Sequence, residues 1–177
     1  MTLSLWDEGF RFLDEQGIGF SSLEKKALQS DCDRFVSLLL EKNNFVNLTA
    51  IRDPEDAFWK HIIDSLLLLS LEPMVGILDW GTGGGFPGIP YLLAKRAKGE
   101  EARVIFLDSV GKKVRAVEEF LASLDLTADA VCVHARGEQY LAEGGLSGVD
   151  TVVMRAVAPT DRAKNWISVP SPLCRWI

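Results

Sequence analysis

The sequence predicts an α/β protein in which a doubly wound, Rossmann-like parallel sheet follows a small helical subdomain. Three observations carry that reading. After residue 73, short apolar runs alternate with amphipathic helical stretches, the pattern of right-handed crossovers that build a parallel sheet. A run of glycines falls between the first apolar run and the helix after it. Before Pro73, by contrast, apolar residues recur at helical spacing. The expected division is a helical unit over 1–72 and an α/β domain over 73–177.

In the first unit, Ser21 and Glu24 have capping-box spacing. The helix they open carries Leu28, Cys32, Phe35, Val36, Leu39 and Leu40 at a 3.6-residue period. Asp53-Pro54-Glu55-Asp56 is a second start signal: an N-cap, a proline in the first helical position, then acids that suit the helix dipole. That helix is expected to run to about Ser70, to bury Phe58, Ile62, Leu66 and Leu69, and to end at Pro73. Beyond it, 75–80 reads as a buried strand and 87–98 as a helix. A second strand over 103–107 closes on Asp108, and 112–124 forms a helix with Val114, Val117, Phe120 and Leu121 inward. Third and fourth strands follow at 130–133 and 149–154.

Composition narrows the function classes. The 177 residues are 47% hydrophobic and 25% charged, as in an ordinary globular protein, so disorder and fibrous folds are excluded. A net charge of −6 argues against coating nucleic acid by bulk charge, but not against a local basic patch. Residues 1–70 hold 7 basic and 12 acidic side chains, so the remaining bases are concentrated in the α/β part. Lys112, Lys113 and Arg115 follow the second strand, and Arg155, Arg162 and Lys164 follow the fourth. Both groups belong to the carboxyl edge of the sheet, where ligands bind in such folds. They predict a polyanion-facing rim. Cys32, Cys132 and Cys174 are odd in number and far apart, and only His61 and His134 are present, so no metal site is expected. This cysteine usage, an acidic start without a signal peptide, and apolar runs no longer than Leu66–Leu69 fit a cytoplasmic protein off the membrane.

The most informative stretch is Leu78-Asp79-Trp80-Gly81-Thr82-Gly83-Gly84-Gly85-Phe86-Pro87-Gly88. Gly83, Gly85 and Gly88 satisfy GxGxxG, in which a dinucleotide pyrophosphate sits on a helix N-terminus; that reading predicts an NAD-binding oxidoreductase. Asp79, Gly81, Gly83 and Gly85 satisfy D-x-G-x-G-x-G, which resembles motif I of class I S-adenosylmethionine (SAM) methyltransferases. SAM carries a cationic sulfonium and no phosphate, so an acid before the glycines suits it better. Asp108 ends the next strand, where a carboxylate can take ribose hydroxyls of either cofactor.

Further segments accompany the turn: Asn47-Leu48-Thr49-Ala50-Ile51-Arg52-Asp53-Pro54, His61-Ile62-Ile63-Asp64-Ser65, Phe86-Pro87-Gly88-Ile89-Pro90, Leu107-Asp108-Ser109-Val110-Gly111-Lys112-Lys113, and Arg155-Ala156. In this order they resemble the RsmG (GidB) family of bacterial 16S rRNA guanine-N7 methyltransferases over about residues 20–166. The resemblance implies a class I SAM-methyltransferase fold and a SAM-dependent enzyme acting on the decoding-region loop of 16S rRNA in the small ribosomal subunit; a monomer is expected. It also implies that Gly81 and Phe86 contact SAM from the turn, that Gly137 and Glu138 face the adenine, and that Arg155 is the family's arginine after the fourth strand. Guanine N7 already bears a lone pair, so such an enzyme has to align nucleophile and methyl group rather than remove a proton. No catalytic base is assigned.

Other residues have plainer readings. His61, Asp64 and Ser65 share one helix without a nucleophile elbow, which predicts a polar junction between the helical unit and the sheet rather than a triad. Arg155 is read as either a ligand contact or an ion-pair partner, and Trp80 as a residue that narrows the site. Cys132 reads as a small packed hydrophobe. A helix is expected from near Thr160, after which the resemblance implies three further strands; Val169-Pro170-Ser171-Pro172 cannot build a central parallel strand, so a truncated or frame-shifted chain lacking the last strands is expected. A SAM- or RNA-binding domain without turnover is therefore the alternative function.

Overall fold

A computed structural model describes residues 3–71 and 74–155. Pro73, Arg162, Lys164, the helix expected from Thr160 and the proline-containing end lie outside the described residues. The chain opens with a helix that the sequence reading did not separate out, α1 (Leu5–Glu15). Ser4 caps it: its hydroxyl accepts from the Asp7 amide at 3.1 Å, and the Asp7 carboxylate accepts from the Ser4 amide at 3.1 Å. Trp6, Phe10 and Leu13 face inward from α1. The Ser21–Glu24 capping box opens α2 (Ser22–Lys42), which buries Leu28, Cys32, Phe35 and Leu39.

The third helical segment is continuous over 54–70 but not uniform. Asp53 caps α3 (Pro54–Ala57), the backbone then loosens into a π-helical stretch, Phe58–Ile63, recovers in α4 (Asp64–Leu66), and tightens into a 3-10 turn, Leu67–Ser70. These changes of pitch rotate the buried face. Phe58, Ile62 and Leu66 are buried as expected, but His61, Ile63, Ser65 and Leu68 join them, and Leu69 is only half-buried. A strict 3.6-residue period cannot reproduce that set.

Four strands form one parallel sheet in the order β3-β2-β1-β4: β1 (Gly76–Trp80), β2 (Arg103–Asp108), β3 (Ala130–His134) and β4 (Thr151–Met154). Between them run α5 (Gly88–Lys98), α6 (Gly111–Ser123) and α7 (Gly137–Ala142). The chain steps outward from β1 to β3, then crosses back to β4. That reversal places a topological switch point beside β1, where such sheets receive ligands. Alternation along the strands serves two cores. Ile77, Val104, Phe106 and Val153 join a large cluster that runs without a break into α1, α2, α5 and α6. Leu78, Trp80, Leu107 and Val152 form a smaller cluster on the opposite face, packed by Tyr140 and Leu141 of α7. The helical segments before residue 71 thus complete the core on one face of the sheet and leave its carboxyl edge open.

Candidate functional site

The turn after β1 is a backbone knot held to β2. The Gly81 and Thr82 amides donate to the Leu107 carbonyl at 2.7 and 3.1 Å, and the Gly83 amide donates to Asp108 Oδ2 at 3.0 Å. Gly81, Gly83 and Gly85 take φ of +78°, +57° and +93°, a region that side chains disfavour, so the alternate glycines follow from the path of the turn. Gly88 has a different reason: a Cβ there would strike the Phe106 ring and lie 2.8 Å from Asp79 Oδ2.

Asp79 lies beneath this turn rather than in the open. It is wholly buried, and its Oδ2 accepts from Thr82 Oγ1 at 2.9 Å and from the Gly88 amide at 3.0 Å. Its Oδ1 is buried without a hydrogen-bond partner. Burial pushes the carboxyl up to about 7, against the lowering effect of those two bonds.

The start of α5 is closed to anions. Its Gly88 amide is taken by Asp79, its Ile89 amide donates to the Gly85 carbonyl at 2.8 Å, and Pro90 has no N–H. The two amides that would cradle a pyrophosphate are therefore already committed inside the protein.

The open space lies next to the turn, over the carboxyl ends of β1, β2 and β3. It is a cleft of about 340 Å³ lined by Trp80, Gly81, Asp108, Lys113, Gly137 and Glu138, with Ser109 and Arg136 completing its rim. Four residues singled out from sequence, Gly81, Asp108, Gly137 and Glu138, thus come together although they lie up to 57 positions apart. Asp108 is 8% exposed, and its Oδ1 accepts from the Val110 amide at 2.8 Å. Each carboxylate oxygen has a second lone pair free for a ligand hydroxyl. Trp80 forms part of the wall, and a Cβ at Gly137 would overlap its indole ring. Gly137 is therefore a packing necessity as well as a cleft residue. Lys113 borders the cleft, whereas Lys112 and Arg115 are exposed on the first turns of α6. Sequence reading missed Arg136, whose position before α7 makes it a cap-position residue with no motif around it.

Phe86 and Arg155 are placed elsewhere. Phe86 is buried, stacks on His61 with ring centres 4.4 Å apart, and packs on Phe35. Arg155, just past β4, sits over the Phe86 ring at 5.3 Å and donates to Asp64 Oδ2 at 2.8 Å, to the Lys60 carbonyl at 3.1 Å and to His61 Nδ1 at 2.7 Å. A guanidinium can only donate, so Nδ1 is the acceptor and Nε2 carries the imidazole proton, directed at Thr49 Oγ1 at 2.7 Å. Burial and the neighbouring Arg155 charge lower His61 to about 4, which keeps the ring neutral. The π-helical stretch and β4 are joined here by a polar clasp, and neither Phe86 nor Arg155 lines the cleft. Cys132 is half-buried, and burial raises its thiol to about 12.

Fold and site together define a Rossmann-like α/β domain with an open cleft at the carboxyl edge of its sheet. The family model described as rRNA small subunit methyltransferase G (GidB) matches residues 28–172. A protein named ribosomal RNA small subunit methyltransferase G from Anaeromyxobacter dehalogenans is 40% identical over 145 residues, covering 81% of this chain and 63% of that protein. Its namesake in Haemophilus ducreyi is 39% identical over 132 residues, covering 75% and 61%. The one from Pseudomonas aeruginosa PAO1 is 34% identical over 161 residues, covering 90% and 70%. The chain belongs to the GidB family. It spans about three fifths of the length of the first of these relatives. Among solved structures, an O-methyltransferase from Bacillus cereus in complex with SAH aligns with a TM-score of 0.47 at 17% identity, covering 94% of this chain and 69% of that one. Among the described residues, no helix is long and apolar enough to cross a membrane.

Proposed function

We propose that the chain binds SAM in the cleft over β1–β3 and directs its methyl group to N7 of a guanine in the decoding-region loop of 16S rRNA. Family membership supports the reaction and the RNA. The observation that carries the choice of cofactor is the closed N-terminus of α5: a dinucleotide needs those amides, and a donor without phosphates does not. The cleft also fits such a donor in size and chemistry, with carboxylates on Asp108 and Glu138, bare main chain at Gly81 and Gly137, and an indole wall.

In this reading Asp108 accepts the ribose hydroxyls, Gly137 and Glu138 bound the adenine, and Gly81, Gly83 and Gly85 let the main chain approach the amino acid end. Asp79 acts one layer below, holding Thr82 and Gly88 so that the turn keeps its shape. Phe86 and Arg155 act further out still, through the clasp that seats the helical layer on the sheet. When bound, SAM supplies an electrophilic methyl group on a sulfonium. The guanine nitrogen supplies its own electron pair, so the protein contributes alignment and exclusion of water. Lys112, Lys113 and Arg115 serve as the phosphate-facing rim.

Titration calorimetry with SAM and with NAD, followed by transfer of labelled methyl from SAM to 30S subunits lacking the modification, tests the proposal. Binding of SAM alone and incorporation at a single guanine N7 is the expected result. Binding of NAD in preference would refute it, and SAM binding without incorporation would leave only the domain without turnover.

A further inference from the structure

The most exposed large apolar side chain among the described residues is an aromatic ring on the bend whose far end packs against the glycine turn. Phe45 is 82% exposed. It lies in the bend that follows α2, where the Phe45 and Val46 amides both donate to the Lys42 carbonyl at 3.0 Å. Asn43 locks the rest of that bend: its Oδ1 accepts from the Leu48 and Thr49 amides at 2.9 and 3.1 Å, and its Nδ2 donates to the Thr49 carbonyl at 2.9 Å. Leu48, three residues past Phe45, packs against Gly84, and its carbonyl lies 3.9 Å from the place of a Cβ on Gly83. Gly83 in turn donates to Asp108, a lining residue of the cleft. The ring is therefore displayed on a bend tied to the glycine turn, and Asn44 and Asn47 beside it are exposed amides. Leu23 is nearly as exposed, at 79%, but stands at the opposite end of α2.

An aromatic face held out in water on a hydrogen-bonded bend and flanked by exposed amides matches the way single-stranded RNA is gripped. Bases out of a helix stack on aromatic rings, and amide groups reach their edges. An enzyme that alters a base within an RNA has to draw bases out of their stack, which leaves unstacked neighbours to be held. We infer that Phe45 is a stacking platform for an unpaired nucleobase of the RNA, carried on the bend that packs on the glycine turn. The inference rests on the reading of the substrate as RNA.

The test is the affinity of the full chain for a labelled single-stranded RNA loop containing guanine, measured by anisotropy at several salt concentrations, beside calorimetry with SAM. Replacing the ring (F45A) should weaken RNA binding about 5- to 150-fold, the range for loss of one base–aromatic stack. It should leave the salt slope and SAM affinity unchanged. F45W should restore RNA binding, whereas F45L, apolar but without a π face, should not. Wild-type RNA affinity in F45A, or full rescue by F45L, overturns the inference while leaving the RNA reading intact. Altered self-association on sedimentation with unchanged RNA affinity assigns the ring to protein contact and overturns it too. A wild-type chain that binds SAM but no RNA overturns the substrate reading itself, and the platform with it.

Discussion

Two carboxylates at the ends of neighbouring strands have opposite circumstances, and each yields a prediction. Asp108 reaches the cleft while its oxygens also hold the Gly83 and Val110 amides. Asp108→Ala should weaken SAM binding by about 1.5–3 kcal/mol, the scale of a charged hydrogen bond, in titration calorimetry; an unchanged affinity would place the cofactor elsewhere. Asp79 is dry, with its carboxyl raised to about 7. Because its folded value lies above the unfolded one of 3.8, the native state holds a proton that the unfolded chain releases. Its contribution to stability is therefore lost as pH rises from about 4 to 7. His61, lowered to about 4, acts in the opposite sense, losing stability as pH falls from 6.5 toward 4. Asp79→Asn keeps an acceptor for Thr82 and Gly88 and removes only the first slope. Relative to wild type, its unfolding free energy should rise by a few kcal/mol, in order of magnitude, between pH 4 and pH 7. Denaturant titrations across that range would show it, and parallel curves for the two proteins would contradict it. Proximity of Asp79 to the glycines was visible in sequence, but its burial was not: an acid in a D-x-G-x-G-x-G string looks the same whether it faces ligand or core.

At the scale of elements, the seating of α7 on β1 depends on one glycine. A Cβ at Gly137 would enter the space of the Trp80 indole, and both residues line the cleft. Gly137→Ala should destabilise the fold by about 1–3 kcal/mol, as overpacking does, and weaken SAM binding by moving the cleft wall. Trp80→Val in the same chain removes the clash, so the two losses of stability should not add. Thermal unfolding and calorimetry on the two single variants and the double one check this, and additive losses would remove the coupling. Periodicity predicted the long elements because their apolar faces are local properties: Leu28, Cys32, Phe35 and Leu39 in α2, or Val114, Val117, Phe120 and Leu121 in α6, are buried as spaced. It failed where the pitch changes. The π-helical stretch and the residue after it present His61 and Asp64 to Arg155, more than ninety positions away, and no local window contains that partner.

For the whole molecule, the polar clasp and the basic rim do different work. Arg155 closes the sheet onto the helical layer, whereas Lys112 and Lys113 stay at the carboxyl edge, one exposed and one on the cleft. Replacing Lys112 and Arg115, both exposed and off the cleft lining, with alanine should lower RNA affinity and reduce the salt slope by roughly 0.7 per lost phosphate contact for single-stranded RNA, while SAM affinity stays the same. Filter binding over a range of salt measures it; a fall in SAM affinity would instead make the rim part of the cofactor site. That the sheet is parallel was legible from the alternation of elements and the rule of right-handed crossovers, whereas the order of its strands came from the structure. Which basic residues face open space was not legible, since Arg155 and Lys113 look equally free in a string of letters and, among the described residues, only Arg155 of the two is committed to an ion pair.

The residue string by itself determined the strands, their parallel pairing and the place of the glycine turn. These follow from hydrophobic period, caps and the backbone freedom of glycine, all of which act over a few neighbours. Only the tertiary structure decided that Asp79 supports the turn from beneath, that Phe86 and Arg155 serve the clasp, and that the first amides of α5 are already spent. Each of those outcomes depends on burial and on hydrogen-bond partners brought together by folding, and a donor or carboxylate has no fixed role until its surroundings are dry or wet.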